Sequence, residues 1–167
     1  MRFSTTVQAA LTLAALAFGT VQAAIPIAKR QMESGHGTGT LTEPADGTTI
    51  SSGATYDFEY HNGNGCESGY SPITVWILDT APVFADLNTT GEFSPGNYLF
   101  SYGEYLIPNF GLPPMSSPTP PPATLELPEL GIPSGDVFIA VVESLLDCPP
   151  DIPIEYGLTY NTISYEA

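Results

Sequence analysis

"ATYDFEYH" (residues 54–61) sets the reading of the whole chain. Ala54, Tyr56, Phe58 and Tyr60 alternate with Thr55, Asp57, Glu59 and His61, the period-two pattern of a half-buried β-strand. A helix would scatter those aromatics around its circumference. Working outward, "PITVWILD" (72–79) and "DVFIAVVES" (136–144) are unbroken apolar runs of strand length, which predicts strands covered on both faces. "GTLTEP" (39–44), "TTISS" (48–52), "NYLFSYGEYLI" (97–107), "ATLELP" (123–128) and "IEYGLTYNTISY" (154–165) add further strands. Turn chemistry separates them at Ala45-Asp46-Gly47, in "HNGNGCESGY" (61–70), at Ser94-Pro95-Gly96 and at Ser134-Gly135-Asp136. No stretch carries a helical period. The pattern predicts an all-β chain, an antiparallel immunoglobulin-like β-sandwich of about seven to eight strands.

One segment breaks the pattern. In "PNFGLPPMSSPTPPP" (108–122), seven of fifteen residues are proline, so it cannot be a central strand. It should run as a long, extended connection between sheets. Phe110, Leu112 and Met115 sit on this stiff backbone, which loses little entropy on binding and so suits recognition.

The chain begins like a secretory protein. Arg2 precedes the short apolar run "ALTLAALAF" (10–18), and "VQA" (21–23) offers small residues at a cleavage site, so residues 1–23 are expected to be a signal peptide. "AIPIAKR" (24–30) then reads as a pro-segment ending in the processing pair Lys29-Arg30. Residues 31–167 are left as one domain. These two residues and Arg2 are the only Lys and Arg of the chain, and all eighteen Asp and Glu lie downstream of them. A domain with no Lys or Arg cannot track phosphates, which excludes nucleic acid. It also has no attraction to an anionic membrane surface. No run is long enough to insert in a bilayer, and a secreted, extracellular or wall-located monomer is expected.

In an oxidising compartment the two cysteines, Cys66 and Cys148, are expected to form one disulfide. The loop of about 80 residues that it closes corresponds to about 4–5 kcal/mol in the chain-entropy estimate. Asn88-Thr89-Thr90 is an N-x-Thr acceptor, expected on an exposed glycosylated turn.

Pro44, Gly47, Ile50 and Gly53, then the alternating aromatic strand and the buried strand around Val75, together form a pattern. It resembles a fungal family of immunoglobulin-like domains, found at the N-termini of Ser/Thr-rich secreted proteins linked to cell-wall β-glucan assembly. The resemblance implies a secreted fungal β-sandwich with a wall-related role. The Pro-rich insert has no counterpart in that pattern.

Signatures of catalysis are incomplete. Asp79-Thr80 in "WILDTAP" lacks the glycine of an aspartic-protease turn and occurs once. There is no nucleophile elbow. No His/Cys spacing suits zinc and no D-x-D-x-D-G loop suits calcium, so neither metal nor cofactor is expected. The aromatic row Tyr98, Tyr102 and Tyr105, continued by Phe110 and Met115, is the better candidate for binding a wall polysaccharide or an extracellular protein. The reading therefore leans toward a non-catalytic binding protein. The alternatives are a carbohydrate-active hydrolase using a carboxylate pair, and an acidic matrix protein binding Ca²⁺ diffusely.

Overall fold

A computed structural model describes residues 39–146 and 154–167. The leader, the Lys29-Arg30 pair and Cys148 lie outside the described residues. Nine strands are described: β1 (Thr40–Glu43), β2 (Thr48–Ser51), β3 (Thr55–Asp57), β4 (Glu59–His61), β5 (Tyr70–Leu78), β6 (Phe100–Pro108), β7 (Thr124–Glu126), β8 (Gly135–Leu145) and β9 (Glu155–Glu166). The described residues contain no α-helix, only a 3₁₀ turn at Phe84–Asp86.

Five strands form one sheet in the order β2-β9-β8-β5-β6, and two short pairs, β1-β4 and β3-β7, stand apart from it. The strand read from "ATYDFEYH" changes partner at Phe58: β3 runs antiparallel to β7, and β4 antiparallel to β1. Its inward residues Tyr56, Phe58 and Tyr60 are all buried, as their alternation requires. They meet Ile73, Val75 and Ile77 of β5, Val137, Ile139 and Val141 of β8, and Ile163 and Tyr165 of β9 in one core.

The sheet is not wholly antiparallel. β2 pairs with β9 in parallel, Thr48 opposite Ile163 through Ser51 opposite Glu166. The turn after β1 is short, but β2 does not fold back on β1 as a hairpin. The turn before β2 is bonded to the last strand instead: Gly47 N donates to Thr162 O (2.7 Å), and Thr162 N donates to Asp46 Oδ1 (2.8 Å). β1 is tied to β9 by side chains rather than by a ladder. Thr159 Oγ1 donates to Gly39 O, and Asn161 Nδ2 donates to Leu41 O and Pro44 O.

The unbroken apolar runs are explained by the other face of the large sheet. Residues 79–99 cross it as a strap. Phe93 and Tyr98 set their rings edge-on to Trp76, with centroids 5.6 and 4.8 Å away. With Leu78, Ala140 and Val142 they form a second apolar cluster. Within the strap, Leu87 bridges Phe93 and Asn88 N donates to Glu92 O, a small hairpin with Gly91 at its base. Gly91 has φ +74°, and a Cβ there would lie inside the Tyr156 ring's contact distance.

The Pro-rich segment links β6 in the large sheet to β7 in the other layer, as the composition predicts. Thr119 O accepts from Leu106 N (2.9 Å) on the free side of edge strand β6, where Pro108 has no N–H to offer. These contacts, with Glu104 exposed on the same strand, blunt an edge that could otherwise recruit another chain.

Gly91→Ala should therefore cost about 1–3 kcal/mol in urea unfolding, because steric overlap adds to backbone strain. Gly96→Ala, with φ +92° and nothing within 4 Å of its added Cβ, should show only the backbone part. Equal losses in the two variants would mean that the strap does not pack on Tyr156 as described.

Candidate functional site

The structure divides the aromatic row. Tyr98, near the end of the strap, packs its ring against Trp76. Tyr102 turns toward the main core at a bulge of β6 opposite Val75 and Trp76. Its hydroxyl accepts from Tyr56 Oη and donates to Glu126 O, both at 3.0 Å. Tyr105 packs on the same core. These three rings are half-buried and pack on apolar neighbours. Phe110 and Met115 go the other way: Phe110 is 71% exposed, Met115 45% and the intervening Leu112 39%.

Phe110 is held out by construction. Leu112 N donates to Asn109 O (2.9 Å), and both central residues have positive φ, 52° at Phe110 and 72° at Gly111, as in a type I′ turn. The segment thus begins with a tight turn rather than the extended run expected from its prolines. For Gly111 this conformation is free of strain. For a bulky aromatic it is unfavourable by about 1–3 kcal/mol and persists only where the surroundings impose it.

Asn109 supplies that support. Its backbone N–H donates to Gly69 O (2.9 Å), and its side-chain Nδ2 donates to Ser68 O (2.8 Å) and Ser71 Oγ (3.1 Å). Asn62 Nδ2 donates to Asn109 Oδ1 (2.9 Å) and to Ser71 Oγ (2.8 Å). Beyond the turn, Tyr70 Oη donates to Pro113 O (3.0 Å), and Leu112 lies against Gly69. The prong formed by Phe110, Leu112 and Met115 is thereby anchored on the loop 62–69.

That loop is fastened by a residue that the sequence reading passed over. Glu143, in the apolar run of β8, is fully buried. It shares its face with Val137, Ile139 and Val141, and strand parity alone would have flagged an acid at an inward position. Its Oε2 accepts from Tyr60 Oη (2.8 Å) and Gly63 N (2.9 Å), and its Oε1 from Asn64 N (3.2 Å). Asn64 and Glu67 adopt positive φ in this loop, at 38° and 52°.

Glu155 is also buried and follows on the same face of β9, where Leu145 faces Glu155 and Glu143 faces Gly157. The two acids are diagonal neighbours on adjacent strands; Glu143 is fully buried and spends both oxygens on the protein, and Glu155 is buried with a small exposed remainder. Among the described residues no group of three or more His, Cys, Asp or Glu could hold a metal ion, and no helix is long and apolar enough to cross a membrane.

Cys66 lies in the fastened loop and is not a free thiol. Asn88 is exposed in the strap, and His61 is exposed beside Glu59 at 3.4 Å. Comparison with protein-family models, curated proteins and solved structures finds no match for the chain.

Burial pushes the phenols of Tyr56 and Tyr60 far up, Tyr60 helped by Glu143, and pushes Tyr102 up to about 12. Below the ordinary phenol range both folded and unfolded states hold the proton, and the stabilisation is fully present. Above pH of about 10 the unfolded chain ionises first, so stability falls as pH climbs toward 12 and beyond. The melting temperature should drop across that window, and Tyr102→Phe should make the drop shallower. An unchanged slope would contradict the buried Tyr56–Tyr102 pair.

Glu143→Gln replaces one acceptor oxygen by an amide NH₂ that faces N–H or O–H donors, which should cost about 1–3 kcal/mol. Amide hydrogen exchange should accelerate at Gly63 and Asn64 and also at Asn109 and Leu112, while Thr90 and Glu92 in the strap keep their rates. Acceleration confined to residues 63–64 would show that the prong is held without Glu143.

Proposed function

We propose that this chain is a secreted fungal protein without catalytic activity, which acts by binding in the cell wall or extracellular space or at a host surface. Its partner in this reading is a wall polysaccharide or an extracellular protein, and Phe110 and Met115 make the contact. One observation carries the reading: an aromatic side chain is presented to solvent on a strained turn that a dedicated hydrogen-bond network holds rigid. Strain of this kind clusters at binding elements, and a rigid apolar prong has little entropy left to lose on contact.

The finer architecture belongs to the same proposal. The sheet β2-β9-β8-β5-β6 shares one core with the pairs β1-β4 and β3-β7, and the consecutive strands β1 and β2 belong to different sheets. This arrangement supports an immunoglobulin-like sandwich, and with it the fungal resemblance carried by Pro44, Gly47, Ile50 and Gly53. Removal of the leader after Arg30 and a Cys66–Cys148 disulfide complete the secreted form. The bridge would close the loop that carries the prong.

The test is co-sedimentation of the protein starting at Gln31 with insoluble β-glucan and chitin. Wild type should be retained, and Phe110→Ala with Met115→Ala should lose about tenfold or more in affinity at an unchanged melting temperature. Equal retention of wild type and variant would remove the prong from the account. No retention of either would remove the polysaccharide.

A further inference from the structure

The strap carries a feature that the binding reading does not use. At the tip of its small hairpin, Asn88 Oδ1 accepts from Thr90 N (2.8 Å) and Glu92 N (3.1 Å), and the Thr90 hydroxyl shares its one proton between Asn88 Oδ1 (2.7 Å) and Glu92 Oε2 (2.9 Å). Asn88, Thr89 and Thr90 are exposed, while Gly91 beneath them is pinned against Tyr156. The oxygen of the side-chain amide is thus fully engaged, and its nitrogen has no hydrogen-bond partner among the described residues. The folded turn leaves room at the nitrogen for a bulky substituent and needs nothing from it.

We infer that Asn88 is a modification site and carries an N-linked oligosaccharide, an inference that rests on the secretory reading of the leader. The donor is a lipid-linked oligosaccharyl pyrophosphate. Asn88 Nδ2 forms a bond to the anomeric carbon of the first sugar, the carbon–oxygen bond to the pyrophosphate breaks, and the lipid pyrophosphate leaves. The amide proton passes to a base of the transferase. Thr90 meets the hydroxyl requirement of the N-x-Ser/Thr acceptor. In the folded protein the Thr90 side chain also bonds Asn88 Oδ1 and Glu92 Oε2, which fixes the outward turn.

The position has a consequence for the molecule. The strap covers one face of the five-stranded sheet, whereas the prong belongs to the connection that leaves that sheet for the other layer. An oligosaccharide at Asn88 hydrates the outside of the strap, so the strap's surface is a solvent face and not a second docking face.

The experiment is expression of the full chain in a eukaryotic secretory host, with the mass of the product in the medium read before and after peptide-N-glycosidase. Wild type should exceed its polypeptide mass by a hexose-spaced ladder that collapses on digestion, with Asn88 converted to Asp in the peptide map. Thr90→Ser should keep the sugar. Thr90→Val and Asn88→Gln should each lose it, and the Val variant keeps the Asn88 side chain should the Gln variant fail to secrete. Secreted wild type at bare polypeptide mass would overturn the inference and leave the secretory reading standing. Absence of the chain from the medium, with a bare chain inside the cell, would overturn both. A sugar that survives in both variants would place the modification elsewhere and overturn the assignment to Asn88.

Discussion

The exposed turn that carries Phe110 depends on one buried carboxyl group, that of Glu143. After Arg30 the chain has no Lys or Arg, so Glu143 has no side-chain cation of that kind to face in the interior. A buried carboxyl without donors would be costly, and here a phenol and two backbone N–H groups supply them. To deliver those N–H groups the loop 62–69 must fold over the end of β8, and it accepts positive φ at Asn64 and Glu67 to do so. The folded loop then offers Gly69 O, Ser68 O, Ser71 and Asn62 to Asn109, and Asn109 closes the turn that carries Phe110. An inward acid on β8 is thereby connected by hydrogen bonds to an outward aromatic some 30 residues earlier in the chain.

The other half of the molecule follows from apolar burial. β5 and β8 are apolar on both faces, so a sheet open to water on one side would expose Trp76, Leu78, Ala140 and Val142. The strap of residues 79–99 covers them, and at Gly91 it packs directly on the Tyr156 ring. The opposite face packs on β1, β3, β4 and β7. Among the described residues, the large apolar side chains left exposed are the three of the prong and the scattered Val83, Ile154 and Tyr160. Phe110 stands out against that background because three neighbouring apolar groups are exposed together there.

Much of this was legible in the sequence, and the failures have physical causes. The strands were found because alternation at Tyr56, Phe58 and Tyr60, and continuous runs around Val75 and Val141, are direct imprints of one-faced and two-faced burial. The crossing of the Pro-rich segment between layers followed from the loss of N–H donors. The parallel pairing of β2 with β9 was not legible, since it rests on contacts more than 100 residues apart that leave no local pattern. The aromatic row was ambiguous for a similar reason: the bulge at Tyr102 and the strap over Trp76 decide which way each ring faces, and neither has a sequence period. Glu143 could have been found by counting strand parity, although its partners Gly63 and Asn64 act through backbone groups that no side-chain pattern reveals.

The central claim is that the prong is rigid in the protein on its own. Backbone ¹⁵N relaxation of the isolated protein measures this directly at Phe110 and Gly111. Order parameters there should equal those of β5, at about 0.85. Values below about 0.6, with β5 remaining rigid, would mean that the turn samples many conformations, and that the network from Glu143 through Asn109 does not present Phe110 for binding.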